Sequence, residues 1–224
     1  MPFDFQVTRD GMEAASRRSP VQDRGHRTVQ RVLDAASSLL ERMPLDELTT
    51  TRIAAEAGLS IGALYRFFPD KQSIIDAVAV GHIEEFRDSL VGTVLKIITI
   101  RLANRRKPDL ADIFGAIIDA YVLYLDDHPD FRAISFGRHI SADTRERQMS
   151  SDLGVTALLK RFMLDQVGAA DTAELDFKLR LVSEAGERLI EYAYEQPTRE
   201  ERDRIIAEMK KMLAGYLFPA SSAK

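Results

Sequence analysis

The chain has 224 residues, 45% of them hydrophobic, and carries 31 lysines and arginines against 35 aspartates and glutamates, a formal net charge of −4. It has no cysteine, which excludes disulfides and thiolate metal sites. The apolar content is sufficient for one large core or two smaller ones, and no apolar run approaches the ~20 residues that span a bilayer, so a cytoplasmic protein with no membrane partner is expected.

In chain order, residues 1–23 are polar, of mixed charge and without the continuous apolar segment of a secretory signal; they are expected to form a mobile arm. From Arg27 the series Val29, Val32/Leu33, Ala36, Leu39/Leu40, Met43 has the helical period and stops before Pro44. Thr49 to Ala57 is a second short helix with Ile53, Ala54 and Ala57 on one face. Gly58 then stands where a helix ends in the left-handed region, and Ser60 is placed to cap a third helix over Ile61 to Phe68. Leu64 and Phe68, four apart, can face a core, which leaves Ile61, Gly62, Ala63, Tyr65 and Phe67 on the other side. Two short helices joined at a glycine turn form a helix-turn-helix, whose second helix enters the DNA major groove. Asp70 is a candidate cap for a fourth helix, with Ile74/Ile75, Val78, His82, Phe86 and Leu90 on one side.

From about Arg27 to Phe86, this stretch resembles the DNA-binding domain of the tetracycline-repressor (TetR) family of bacterial transcription regulators. The resemblance is carried by Ile53-Ala54, Ala57-Gly58, Leu64-Tyr65, Phe68 and Lys71. It implies an all-α protein with a DNA-binding domain over residues 24–75 (helix-turn-helix about 49–68) and an effector and dimerisation domain over 76–224. Its expected function is that of a ligand-responsive repressor binding double-stranded operator DNA as a homodimer. The expected DNA-facing residues are Arg24, Arg27, Thr50, Thr51, Arg52, Ser60, Ile61, Gly62, Ala63, Tyr65, Arg66, Phe67 and Lys71. Tyr65 and Lys71 would meet phosphates, which carry no sequence information, although Tyr65 could instead pack between helices and Lys71 could be merely solvated. Ile61, Gly62 and Ala63 would approach the bases, and hydrogen-bond readout would fall to Arg52, Thr51 or Arg66. Charge lends this reading little help: residues 24–71 hold seven basic and six acidic side chains.

Beyond the fourth helix the pattern stays helical. Arg101 to Pro108 reads as a basic loop, followed by helices over Leu110 to Asp126, Phe131 to Arg138, Asp143 to Val167, Glu174 to Glu195 and Glu200 to Leu217. In the family it resembles, the C-terminal helices enclose an apolar cavity for a small effector. His82, Phe86, Phe114, Ile118, Tyr121, Phe136, Met149 and Phe162 are the candidates for its wall, though most such residues are simply core. The last two helices carry apolar stripes, including Leu175, Val182, Gly186 and Leu189 on the first and Ile205, Met209, Leu213 and Tyr216 on the second. These are the expected dimer interface, a four-helix bundle in the family, unless the stripes are satisfied within one chain.

Enzyme signatures are poor. His26, His82, His128 and His139 are scattered without metal-ligand spacing, and no cofactor or metal site is expected. Asp126-Asp127-His128-Pro129-Asp130 matches the DDxxD of magnesium-dependent prenyl-transferring enzymes, but no second acidic motif accompanies it and Pro129 breaks the helix between the aspartates. A helical enzyme of that kind, or a helical scaffold without a DNA role, are the alternatives.

Overall fold

A computed structural model of the chain describes residues 20–103, 110–150, 155–167 and 169–218. Among the described residues the regular structure is helical throughout: α1 (Pro20–Leu40), α2 (Thr50–Glu56), α3 (Ile61–Tyr65), α4 (Lys71–Ala103), α5 (Leu110–Asp127), α6 (Pro129–Ser135), α7 (Ala142–Ser150), α8 (Val155–Phe162), α9 (Ala173–Tyr194) and α10 (Arg199–Leu217). Most of the expected arm and basic loop lies outside the described residues. Within the helix expected over 143–167 the described residues form α7 and α8, the latter continued by a π-helical turn over Met163–Val167, and residues 151–154 lie outside them.

The chain divides into two compact units. The first comprises the residues up to Glu85 together with Leu125–Glu146, and the second comprises Phe86–Tyr124 and everything from Arg147. The boundary expected at residue 75 falls inside helix α4, which contributes to both.

Local chemistry sets the helix ends in the first unit. The Thr49 hydroxyl accepts from the Arg52 N–H (3.2 Å) at the start of α2, and the Ser60 hydroxyl accepts from the Ala63 N–H (3.2 Å) at the start of α3. Helix α3 is shorter than the sequence suggests. After Tyr65 the Phe67 and Phe68 N–H groups both turn back to the Leu64 carbonyl (2.9 and 3.1 Å). Pro69 explains this, because it offers no N–H and disfavours helical backbone at Phe68. Asp70 caps α4 by accepting from the Ser73 N–H (2.7 Å).

A single core holds these pieces together. Val32, Ala36 and Leu39 of α1, Ile53 and Ala54 of α2, Leu64 of α3, Ile74, Ile75 and Val78 of α4 and Ile134 of α6 are all buried in it. Each large side chain removed from water in this way contributes about 1.5–3 kcal/mol. Polar ties reinforce the packing. The Arg31 guanidinium donates to the Ala57 carbonyl and to that of Gly58 (3.2 Å), and Arg42 pairs with Glu56 at 2.6 Å, so α1 and the turn that follows it are each fastened to the end of α2. The Asp76 carboxylate accepts from the Ser141 N–H (2.9 Å) and from the hydroxyls of Ser141 (2.6 Å) and Thr144 (3.0 Å), tying α4 to the first turn of α7.

In the second unit α9 and α10 fold back on each other across the 195–198 link. Leu175, Leu179, Val182 and Ile190 are buried on α9, as are Ile206, Met209, Leu213 and Leu217 on α10. The Tyr194 hydroxyl donates to the Val122 carbonyl (3.1 Å) and Lys210 pairs with Asp119, which fastens this hairpin to α5.

Two outcomes follow from the ties in the first unit. Gly58 has φ +62°, and a Cβ there would sit 3.1 Å from the Arg31 Nη2. Gly58→Ala should therefore cost about 1–2 kcal/mol of stability, read as a lower urea midpoint at unchanged slope. Burial works to raise the Asp76 pKa but is outweighed by the hydrogen bonds from Ser141, Gln72 and Thr144, so the folded value lies below the ordinary one. Stability from this carboxylate is then present above the unfolded value of about 3.9 and lost as pH falls through the lower folded value. Asp76→Asn should lower the melting temperature at pH 7, with the difference from wild type shrinking toward pH 3.

Candidate nucleic-acid interface

Helix α3 is too short to be stable alone, and its two faces are sharply different. Leu64 is fully buried, whereas Ile61 (40% exposed) and Tyr65 (49%) face solvent along with Gly62 and Arg66; Ala63 is half-buried. Ser60 and Phe67 are exposed at its two ends, and the Arg66 guanidinium lies 6.0 Å from the Phe67 ring centre. The surface made by α3 is thus flat and almost uncharged. On α2, Thr51 is exposed and Thr50 half-buried, and the Thr50 Oγ1 and Tyr65 hydroxyl are hydrogen-bonded at 3.0 Å. That bond fixes the tyrosine between the two helices while leaving its oxygen further capacity. Arg24 and Arg27 are exposed on α1.

Two nominated cations are placed otherwise than the sequence reading has them. The Lys71 ammonium donates to the carbonyls of Leu45 and Leu48, each at 2.9 Å, so it points into the domain rather than outward to a phosphate. Arg52 Nη1 donates to the Glu47 carbonyl (3.0 Å) and lies 3.5 Å from the Glu47 carboxylate and 3.4 Å from the Met43 sulfur, so this nitrogen braces the preceding turn while the side chain stays half exposed. The cause is the same in both cases. The 3-10 turn Leu45–Glu47 brings the Leu45, Glu47 and Leu48 carbonyls beside these cations, and the Leu45 carbonyl accepts from the Leu48 N–H (3.1 Å) as well as from Lys71. Among the nominated hydrogen-bonding side chains, Thr51 and Arg66 remain directed to the surface.

The expected effector wall divides between the units. Phe86, Phe114 and Ile118 are buried and Tyr121 half-buried in the second unit, with Phe86 5.3 Å from both Tyr121 and Tyr124 and Phe114 6.3 Å from Phe218. The side chains of Met149 and Phe162 are outside the described residues. His82 and Phe136 belong to the first unit, and His82 Nε2 is bonded to the Asp130 carboxylate at 2.9 Å rather than lining a cavity. Sequence reasoning missed Asp130 as an interior group. Asp126 and Asp127 end α5 in solvent while Asp130, past the proline, is 2% exposed, so the three aspartates do not form a common magnesium face.

Of the nominated dimer residues, Leu175, Val182, Met209 and Leu213 are buried within the chain, Gly186 packs 3.5 Å from Leu213, and Leu189 and Ile205 are half-buried. The inner part of each stripe is buried within the α9–α10 hairpin. Tyr216 is exposed, and the other large apolar side chains left in solvent on these helices are Phe177 (58%), Leu181 (46%), Tyr192 and Met212 (56%).

Lys71→Met offers a check on the inward placement. It should lower stability in the absence of DNA by about 1–3 kcal/mol, because two near-buried carbonyls lose charged donors, and a thermal melt of the free protein reads it. A lysine serving phosphates alone would leave that melt unchanged.

Residues 32–78 match the family model of bacterial regulatory proteins, tetR family, and residues 108–221, half of the chain, match that of the tetracyclin repressor-like C-terminal domain. The nucleoid occlusion factor SlmA of Shewanella amazonensis is 28% identical over 108 residues, 48% of this chain and 50% of that protein. Its counterpart in Haemophilus influenzae is 35% identical over 77 residues, 34% of this chain and 32% of that protein. The chain thus spans half or less of the length of these curated relatives. A solved TetR-family transcriptional regulator from Streptomyces coelicolor is 26% identical, with 85% of this chain and 97% of that one covered at a TM-score of 0.60. A regulator from Rhodococcus (20% identical, 88% and 100% covered, TM-score 0.60) and RolR in complex with resorcinol (18%, 91% and 97%, 0.63) share the fold.

Proposed function

We propose that this chain, which belongs to the tetracycline-repressor family and is a DNA-binding transcription regulator, works as a ligand-responsive repressor that binds a palindromic operator as a homodimer. The observation that carries the reading is the short helix α3, held by Leu64 with a nearly uncharged outer face of Ile61, Gly62, Ala63 and Tyr65. Small and flat groups admit close approach to a major-groove floor, where recognition rests on van der Waals contact with thymine methyls and on a few hydrogen bonds. Thr51 and Arg66 would supply those bonds. Tyr65, positioned by Thr50, would meet a phosphate, with Arg24 and Arg27 adding charge from α1. Lys71 and Arg52 act indirectly, by holding α2 and α4 to the turn before them.

A reader this small gains affinity by pairing, because a two-fold protein matches a palindromic site. The exposed apolar face of Phe177, Leu181 and Tyr192 on α9 with Met212 and Tyr216 on α10 supports that pairing, since charged helices seldom leave such a patch in water without a partner. The effector would be a small apolar or aromatic molecule taken up beside Phe86, Phe114, Ile118 and Tyr121. The aromatic lining supports this, as does the existence of RolR, a protein of the same fold, as a complex with resorcinol. Effector binding would lower operator affinity through a coupling of typically ~1–3 kcal/mol.

The test is operator binding by fluorescence anisotropy on DNA flanking the protein's own gene, run beside sedimentation. Phe177→Glu with Leu181→Glu should give folded monomers that bind the operator at least tenfold more weakly. Arg66→Ala should change which sequence is preferred in a randomised operator library, at about 1–3 kcal/mol per lost discrimination. A doubly substituted chain that stays dimeric and keeps its affinity would move the interface elsewhere, and wild-type protein with no preference for any DNA sequence would overturn the reading.

A further inference from the structure

The first unit contains a cluster that DNA recognition does not use. His82 of α4 is fully buried, and its Nε2 lies 2.9 Å from the Asp130 carboxylate at the start of α6, itself 2% exposed. His128, immediately before α6, is half-buried and turns its ring edge-on to His82, with centres 5.3 Å apart at 66°. One ligand atom from each of His82, His128 and Asp130 lies within 4.8 Å of the other two. Phe131 stacks on His82 at 4.9 Å and closes that side with an apolar ring.

A buried histidine–aspartate pair joining α4 to α6 would account for two of these groups. It leaves out His128, whose ligand atom lies within 4.8 Å of those of the pair. Metal ions bind imidazole in its neutral form and carboxylate in its ionised form.

We propose that His82, His128 and Asp130 form a binding site for a divalent transition-metal ion of the zinc type. Two imidazoles and one carboxylate suit zinc, cobalt or iron better than magnesium or calcium, which take oxygen ligands. Three protein ligands leave further positions to water or a small ligand. Metal–ligand bonds of about 2.0–2.2 Å put tetrahedral ligand atoms roughly 3.3 Å apart. His128, the least buried of the three, is the side chain that can close the remaining gap by a small rotation. A bound ion would fix the middle of α4 to the start of α6 inside the unit that carries the helix-turn-helix. The site stands independently of the operator reading, and its test involves no DNA.

The experiment uses full-length protein without a histidine tag, stripped with chelator and titrated with Co2+ while its visible absorption is followed, then with Zn2+. Wild type should take up one Co2+ per chain with the absorption of a low-coordinate nitrogen–oxygen site, lose it to Zn2+, and melt at a higher temperature with Zn2+ bound. His128→Ala and Asp130→Asn should each weaken binding by at least tenfold. Asp130→Asn keeps an oxygen to accept from His82, so it tests the ligand role even if removal of a ring disturbs folding. Absence of stoichiometric Co2+ uptake by wild type would overturn the site. Undiminished uptake in both variants would also overturn it, by assigning the ion to other histidines such as His26 or His139.

Discussion

The burial of Leu64 is the constraint on which the rest of the DNA-binding unit depends. Helix α3 has too few residues to hold itself in water, so its geometry is borrowed from what Leu64 touches: a core in which α1, α2, α4 and α6 each contribute fully or nearly buried side chains. With Leu64 inside, the helical period turns Gly62 and Tyr65 away from the core, and Ile61 at the start of the helix is 40% exposed. The glycine at 58 and the proline at 69 mark off the helix to a length that presents one short ridge and nothing more.

The second constraint is the satisfaction of backbone carbonyls. Turns at Leu45–Leu48 and Ala57–Gly58 place carbonyls beside the core, and long cationic side chains donate to them: Lys71 and Arg52 to the first, Arg31 to the second. A domain with so few cations therefore spends several of them on itself. This matches its near-neutral charge balance, seven basic against six acidic side chains over residues 24–71. The Asp76 ties to Ser141 and Thr144 apply the same rule with opposite sign, an acceptor side chain satisfying donors at the head of α7.

In the second unit each of the last two helices has more than one apolar face. The inner stripes of α9 and α10 meet one another, and the outer residues Phe177, Leu181, Met212 and Tyr216 are left over. Periodicity alone registers both faces as hydrophobic, because an amphipathic helix with a wide apolar arc gives no sign of which part meets its neighbour in the same chain.

The helices, their caps and the helix-turn-helix were legible because local rules govern them. Gly58 takes a positive φ, Ser60 and Asp70 accept the N–H groups expected of caps, and Ile53, Leu64 and Phe68 turn inward as their spacing requires. What the tertiary structure alone decided was the use made of polar and ambiguous residues. Lys71 and Arg52 reach carbonyls whose position depends on how a turn packs. Asp130 leaves its acidic neighbours to join His82, 48 positions away, and Met209 and Leu213 face their own chain. Side-chain partners at such separations are set by the folding of the backbone, and no sequence spacing encodes them.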